Sequence, residues 1–170
     1  MYSSKYANYL LECIEYGTNA CYEQSLKNES RLGNKPMLMS KFTKRMLQSI
    51  EYDVIKNKRR ENMLRLHDEL KDINCFLLNV ESDTHMCYPC LIYNDGLIDK
   101  LIENKIYVPT LWRHVKKYFK DKDVLEVRLS EYMLNLPIDQ RYNKEDMHEI
   151  AKIVKKLYKQ SGNMSRDNFK

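Results

Sequence analysis

The tetrapeptide Leu111-Trp112-Arg113-His114 places the only tryptophan of the chain beside a permanent cation and a side chain that titrates near neutral pH. It directly follows an apolar segment that is typical of a strand, and loops after strands often carry binding residues. These residue types would allow contact with the anionic or sugar part of a ligand. The alternative is a surface loop with a partly buried tryptophan.

A Cys-x-x-Cys motif runs from Cys87 to Cys90, with His85 nearby. A redox pair of this spacing needs a helix N-terminus, where the dipole stabilises a thiolate. Here the motif lies in an apolar, strand-like run, in which positions i and i+3 point to opposite faces. No second ligand pair has a spacing typical of zinc. We therefore interpret both residues as structural thiols and predict no metal site.

Five cysteines are present, and the N-terminus has no apolar signal-peptide core. The odd count and the apolar surroundings favour buried free thiols over a disulfide framework. No apolar run approaches the roughly 20 residues that cross a bilayer. We expect a cytoplasmic protein without a membrane partner.

The net charge of +5 is modest for 170 residues. It suits small anionic ligands but does not require nucleic acid. The basic cluster Lys56-Asn-Lys-Arg-Arg60 lacks interleaved aromatic residues and is better interpreted as a solvated helix face near acidic side chains. We expect no nucleic-acid partner.

Apolar periodicity and capping residues predict the elements. A helix is expected over 4–28, and Ser40 is expected to cap a long helical region with a bend around 54–60. The remaining elements follow in order: strands at 75–78 and 86–93, a small helix capped by Asp95, a strand at 106–111 with Pro109 at an edge, a partly helical segment 115–129, a strand at 132–136, and a final helix capped by Asn143.

This order predicts an α+β fold: a small, mostly antiparallel sheet with helices packed on one face, preceded by long helices. We expect an N-terminal helix and loop at 1–38, an α+β domain at 39–160 and a flexible tail at 161–170.

Several motifs of this domain, over roughly residues 38–158, resemble one enzyme family in their order and spacing. The motifs are Met39 to Leu47, Arg59-Arg-Glu-Asn62, Tyr88-Pro-Cys-Leu91, Leu97 to Val108, and the run Leu134-Asn-Leu-Pro-Ile-Asp-Gln-Arg-Tyr-Asn-Lys-Glu-Asp-Met147. They resemble the small C-terminal domain of the DegT/DnrJ/EryC1/StrS sugar-aminotransferase-like family of fold-type I enzymes, which use pyridoxal phosphate. This chain has Lys105 where that family usually has glycine.

The resemblance implies the rear part of an enzyme that transfers an amino group to a (nucleotide-)sugar. The family's cofactor lysine and phosphate-binding groups lie in a preceding domain, and none maps onto this chain. It therefore implies no catalytic residue and no cofactor bound by this chain alone, although an intact member holds pyridoxal phosphate.

The resemblance also implies which residues meet the substrate. The family's loop at Trp112, Arg113 and His114 approaches the mouth of the active site, and Arg141 could bind a carboxylate through two hydrogen bonds. A solvated turn residue is the alternative for Arg141. The implied partner is a second copy of the chain or an N-terminal half that binds pyridoxal phosphate. A non-catalytic interaction or dimerisation module derived from this fold is the alternative function.

Overall fold

The computed structural model describes residues 7–34, 36, 38–80, 85–121 and 123–160. The fold is α+β, as predicted. Within the described residues it has seven α-helices, one 3₁₀ helix and a two-stranded antiparallel sheet. The elements are α1 (Asn8–Tyr16), α2 (Thr18–Ser30), α3 (Lys41–Gln48), α4 (Tyr52–Leu70), β1 (Cys87–Leu91), α5 (Leu97–Glu103), the 3₁₀ helix (Arg113–Lys117), α6 (Leu125–Tyr132), β2 (Met133–Pro137) and α7 (Lys144–Gln160).

The chain forms two compact units, Met1–Glu51 and Tyr52–Lys170. Residues 39–51, which the sequence assigns to the α+β domain, belong to the first unit. The domain boundaries after residues 38 and 160 stay a prediction. The tail predicted at 161–170 lies outside the described residues.

The first unit contains two helices where one was predicted over 4–28, a range whose first three residues lie outside the described residues. Gly17 separates α1 from α2 and has a φ of 85°, which side-chain-bearing residues rarely adopt. Periodicity continues across Gly17, so the break could not be recognised from apolar spacing.

Cys13 and Cys21 form a disulfide between α1 and α2, so the prediction of free thiols is wrong for this pair. The break at Gly17 folds the chain back and brings the two side chains together. Cys75, Cys87 and Cys90 are free, as predicted; Cys90 is buried as expected, whereas Cys75 and Cys87 are half-buried.

Ser40 caps α3, as predicted, by accepting a hydrogen bond from the backbone N–H of Thr43 at 3.1 Å. The predicted bend at 54–60 is wrong, because α4 is continuous from Tyr52 to Leu70. The helical region instead breaks at 49–51, between α3 and α4.

β1 and β2 pair in an antiparallel register that sets Leu91 opposite Met133 and Cys87 opposite Pro137. The strand predicted at 75–78 is absent from this sheet. The Asn74 side chain accepts from the N–H of Leu91 and donates to the carbonyl of Pro89, at 2.9 and 3.0 Å. This amide therefore occupies the edge of β1 where another strand would pair.

The segment predicted as a strand over 106–111 is irregular and joins no sheet. The Asn135 amide donates to the carbonyl of Pro109 at 3.0 Å, a side-chain contact in place of a strand ladder. Ile106 and Val108 are nevertheless buried in the core. Alternate apolar residues thus mark burial here rather than strand pairing.

Helix α5 starts after Gly96 rather than under an Asp95 cap. At its other end, the N–H of Ile106 donates to Leu101 and the N–H of Lys105 to Ile102, both at 2.9 Å. This is a Schellman motif, in which the residue after the C-cap is left-handed. Lys105 takes that position with a φ of 62°.

The segment predicted as partly helical contains the 3₁₀ helix and α6. Helix α6 continues to Tyr132, so β2 begins at Met133 rather than one residue earlier. Helix α7 is capped as predicted, since the Asn143 side chain accepts from the N–H of Asp146 and the Asp146 carboxylate accepts from the N–H of Asn143.

The core of the second unit lies between the sheet and its helices. Its buried members from α4, α5 and α7 show the helical spacing of an inward face. They are Met63, Leu66, Leu70, Leu97, Leu101, Met147, Ile150, Ala151, Val154 and Leu157, packed with Tyr88, Cys90, Leu134, Leu136 and Ile138 of the sheet region.

Asn62 fixes α4 to the turn after β2. Its buried amide lies 3.3 Å from the carbonyl of Ile138, 3.1 Å from that of Asp139 and 3.2 Å from that of Tyr142. One turn earlier in α4, Arg59 donates to the Gln140 side chain at 3.3 Å. The amide thus serves three backbone acceptors of one turn.

A thiol count tests the disulfide. Under denaturing conditions without reductant, we expect Ellman titration to give three thiols per chain, because only Cys75, Cys87 and Cys90 are free. After reduction, the same titration gives five. Five thiols without reductant, in protein purified under air, would contradict the pairing of Cys13 with Cys21.

Replacing Asn62 tests the turn anchor. Asn62→Ala leaves the three carbonyls without their side-chain donor, and we expect a loss of about 2–3 kcal/mol in the free energy of unfolding. Asn62→Asp keeps the shape, offers no donor at neutral pH, and loses at least as much. Urea unfolding of the second unit, followed by circular dichroism, measures both.

The matched control for this measurement is Asn104→Ala, because the Asn104 amide is exposed and, within the described residues, donates to the Lys100 carbonyl one helical turn away. We expect it to cost less than about 0.5 kcal/mol. Equal losses for Asn62→Ala and Asn104→Ala would rule out a special contribution of the anchor.

Candidate functional site

Trp112, Arg113 and His114 lie together on the surface, where the chain enters the 3₁₀ helix. Trp112 is the N-cap of this helix, has a φ of 52° and is 65% exposed. Arg113 and His114 are also exposed, and the His114 ring meets the Tyr118 ring edge-on at 6.0 Å. An exposed indole next to cations is a surface that can contact a ligand from solvent.

Residues at the end of α6 and within β2 hold the backbone of the Trp112 loop in place. Ser130 donates to the carbonyl of Trp112 at 3.4 Å, and Lys116 forms an ion pair with Glu131 at 2.7 Å. Asn135 holds Pro109 on the other side of the loop. The backbone is thereby positioned, while the Trp112 side chain itself stays open to solvent.

A cleft of about 440 Å³ lies beside the loop. Its lining comes from the residues after β1, the start of α5 and the end of α6: Asn94, Asp95, Gly96, Leu97, Ile98, Asp99, Thr110, Lys116, Ser130, Glu131 and Tyr132. The two chain segments meet here because the antiparallel register sets the end of β1 against the start of β2.

The cleft contains one buried donor that is not used. The Asn94 side-chain nitrogen has no hydrogen-bond partner within the described residues. Beside it, Tyr132 donates to Asp95 at 3.0 Å, and burial, followed by this hydrogen bond, raises the pKa of Tyr132. Because Asp95 takes the Tyr132 hydroxyl hydrogen, the Asn94 amide is the donor in this part of the cleft that stays available to a ligand.

Charge divides the site into two parts. The cleft has three carboxylates, Asp95, Asp99 and Glu131, against the single ammonium of Lys116. The adjoining loop has Arg113 and Lys117 as further cations, whereas Lys116 is paired with Glu131. An anionic group is therefore favoured at the loop, and a hydroxyl-bearing group is favoured in the cleft.

Arg141 lies apart from the loop, in the turn after β2. The length of β2, about 13 Å, separates that turn from the α6 end that holds Trp112. Asp139 accepts two hydrogen bonds from the Arg141 guanidinium, at 2.8 and 2.9 Å, which lowers the pKa of the Asp139 carboxyl. The Arg141 guanidinium therefore makes with Asp139 the bidentate contact that we expected it to make with a substrate carboxylate.

Cys87 and Cys90 belong to β1, as predicted, and are not paired with each other. Cys90 is fully buried, whereas Cys87 is half-buried and donates weakly to Asn135. Burial raises the pKa of both thiols. The structure therefore favours the interpretation of these residues as structural thiols.

No group of three or more metal-ligating side chains occurs within the described residues. In the same ranges every lysine is exposed or half-exposed. Pyridoxal phosphate needs a lysine in a sheltered pocket together with an acid for its ring nitrogen. The described residues do not fit that group, so we derive no catalytic step from them.

Sequence reasoning found the loop but missed the cleft. Asn94 and Asp95 follow β1, and Tyr132 precedes β2. The type of each residue taken alone does not indicate a site. Predicting that β1 and β2 are antiparallel neighbours would have placed these residues together. That pairing was the missing signal.

Every helix within the described residues is too short or too polar to cross a lipid bilayer. Comparisons with protein-family models, curated proteins and solved structures found no match to this chain. The geometry of the site and the motifs of the sequence are therefore the basis for a functional proposal.

Trp112 provides a direct test of the loop's charge, because it is the only tryptophan. We expect the double variant Arg113→Gln/Lys117→Gln to lower iodide quenching of Trp112 fluorescence about twofold at low salt, since nearby cations concentrate anions. Quenching by neutral acrylamide should not change.

The control for charge is Lys156→Gln/Lys159→Gln on α7, which should leave both quenching constants unaltered. An iodide constant that is insensitive to Arg113 and Lys117 would show that the loop does not attract anions.

Proposed function

We propose that this chain is the C-terminal part of a pyridoxal-phosphate-dependent, aminotransferase-like enzyme that acts on nucleotide-sugars. The reaction of an intact family member would transfer an amino group from an amino acid such as glutamate to a keto-sugar nucleotide. This chain supplies one wall of the cleft and depends on a lysine-bearing half for the cofactor. It is not catalytic alone.

The main support is a contact between two motifs of the resemblance that lie far apart in the chain. Asn62, the last residue of Arg-Arg-Glu-Asn, bonds the backbone of Ile138, Asp139 and Tyr142, which belong to Pro-Ile-Asp-Gln-Arg-Tyr. The two motifs are 76 to 80 positions apart in the chain. Motifs that resemble one family separately also fit each other physically.

The backbone at Lys105 gives a second, smaller support. The resembled family usually has glycine at this position, and Lys105 has the left-handed φ of 62° that glycine adopts most easily. The residue type differs from the family pattern, but the turn is one that the pattern would require.

Trp112, Arg113 and His114 are the residues that we propose for substrate contact. The exposed cations would meet the anionic part of a nucleotide-sugar, and the hydroxyl groups of the sugar suit the neighbouring polar cleft. Arg141 would have to leave Asp139 before it could bind a carboxylate. We therefore assign it a lesser share of binding.

A cytoplasmic location, which the sequence led us to expect, is part of the proposal. The disulfide between Cys13 and Cys21 would then face a reducing environment. The proposal does not require that bond, because it belongs to the first unit and the site belongs to the second.

A non-catalytic interaction module is the alternative, and one observation favours it. The second unit closes a core of its own, in which the residues of α4, β1, β2 and α7 are almost fully buried. A domain that completes its core without a cofactor-bearing half can fold and persist alone.

Cofactor spectroscopy distinguishes the two. Where the coding sequence beside this chain encodes a lysine-bearing half, co-expression of the two and purification through a tag on this chain should give a complex with the absorbance band of a lysine–cofactor imine. The 170-residue chain alone, mixed with pyridoxal phosphate, should not develop that band.

Borohydride reduction and intact mass measurement provide the control, because they would detect a pyridoxyl adduct on any lysine of the isolated chain. A stoichiometric adduct there, or a co-purified complex without the band, refutes the proposal. A neighbouring coding sequence with no such half favours the interaction module.

A further inference from the structure

Helix α1 in the first unit has little packing of its own. It buries no residue, and Leu11 and Ile14 are 62% and 78% exposed. Among the described residues of the first unit, the one buried apolar side chain is Cys21. A helix that packs on a core buries the apolar side of each turn, and α1 does not. The bond between Cys13 and Cys21 is therefore the main tertiary contact that fixes α1.

The corner at Gly17 explains why α1 depends on this bond. Gly17 interrupts the helix, and Cys13 and Cys21 lie on either side of it with their Cα atoms 5.3 Å apart. α1 has only nine residues. An isolated helix shorter than about 12–15 residues is marginal in water. Without the bond, α1 has neither the length nor the packing that would keep it helical.

The two sulfur atoms differ in their access from solvent. Cys21 is 2% exposed, whereas Cys13 is half-buried. A thiolate in solution therefore reaches the Cys13 sulfur more readily, with Cys21 as the leaving group. The other three cysteines are free and belong to the second unit, so a reductant has a single bond to open in this chain.

We propose that the bond between Cys13 and Cys21 is a redox switch. Its reduction releases α1 from α2, and Asn8–Tyr16 changes from helix to unfolded chain. Oxidation reverses the change. A segment that is ordered in one chemical state and unfolded in the other is an established form of switch. The switch uses only the first unit, so it stands independently of the enzyme assignment.

The co-reactant is a dithiol, either a small molecule or a protein. One thiolate of the dithiol attacks the Cys13 sulfur, forms a mixed disulfide and expels Cys21 as a thiolate, which takes up a proton. The second thiol of the reductant then attacks its own sulfur in the mixed disulfide and releases Cys13. Two electrons and two protons pass to the chain, and the dithiol becomes a disulfide.

A permanent structural disulfide is the alternative, and it fits the observations less well. Such a bond supplements a core that is too small to fold alone. Here the bond joins two helices at one corner and leaves the apolar residues of α1 in solvent. In the cytoplasm, where we expect this chain, disulfides are usually transient and often redox-sensing.

Hydrogen exchange of the full chain, followed by mass spectrometry of peptic fragments, tests the switch. We expect excess dithiothreitol under native conditions to speed exchange of the α1 amides at least about tenfold, because they lose their helical hydrogen bonds. Exchange in α4 and α7 should not change, since all cysteines of the second unit are already free. Reoxidation should restore the slow exchange of α1.

The variant Cys13→Ser/Cys21→Ser cannot form the bond. Its α1 amides should exchange at the rate of the reduced wild type, with or without dithiothreitol. Cys75→Ser is the matched control, because Cys75 is a free thiol, and this variant should respond to dithiothreitol like the wild type. Chymotrypsin provides a second readout, since cleavage after Tyr9 should be faster in every form that lacks the bond.

Three results would overturn the switch. Equal exchange of α1 in the oxidised and reduced wild type would show that the bond does not control the helix. A bond that stays closed in excess dithiothreitol under native conditions, as counted by alkylation and intact mass, would be a structural disulfide. Faster exchange throughout α4 and α7 on reduction would show that the whole chain unfolds and that α1 is not released alone.

Discussion

The side-chain amide of Asn62 joins helix α4 to the turn between β2 and α7, and the arrangement of the second unit follows from that contact. The two N–H groups of the Asn62 amide bond three carbonyls. The turn from Ile138 to Tyr142 must therefore point these three carbonyls at the same side-chain nitrogen. The same turn fixes where β2 ends and where α7 begins. Asn135 lies in β2 and donates to the carbonyl of Pro109, which precedes Trp112. The Trp112 loop therefore depends indirectly on the Asn62 contact.

The sequence allowed the helices with strong periodicity to be predicted, and the capping residues gave their limits. Helix α7, with its Asn143 cap, is the best example. The short apolar runs 75–78 and 106–111 were wrongly predicted as strands. They have the composition of strands, but side-chain amides bond the backbone where a neighbouring strand would pair. A strand is defined by its partner, and the side chains of Asn74 and Asn135 removed those partners. No local pattern reveals such long-range competition.

The candidate site shows the same limit in a different form. Trp112, Arg113 and His114 are adjacent in sequence, so residue type alone was enough to select them. The cleft is assembled from segments that lie nearly 40 positions apart, as the bond between Tyr132 and Asp95 illustrates. Strand register, rather than composition, creates that neighbourhood. The disulfide between Cys13 and Cys21 likewise depends on the backbone turn at Gly17, which the spacing of apolar residues does not predict.

Lys105 shows how a tight turn can be independent of the side chain that it carries. The Schellman turn is closed by the N–H groups of Lys105 and Ile106, so it survives whichever side chain projects from it. A left-handed residue other than glycine costs about 1–2 kcal/mol, which a well-packed unit can tolerate. The side chain at this position can therefore vary while the path of the main chain stays the same, because the turn is held by backbone N–H groups alone.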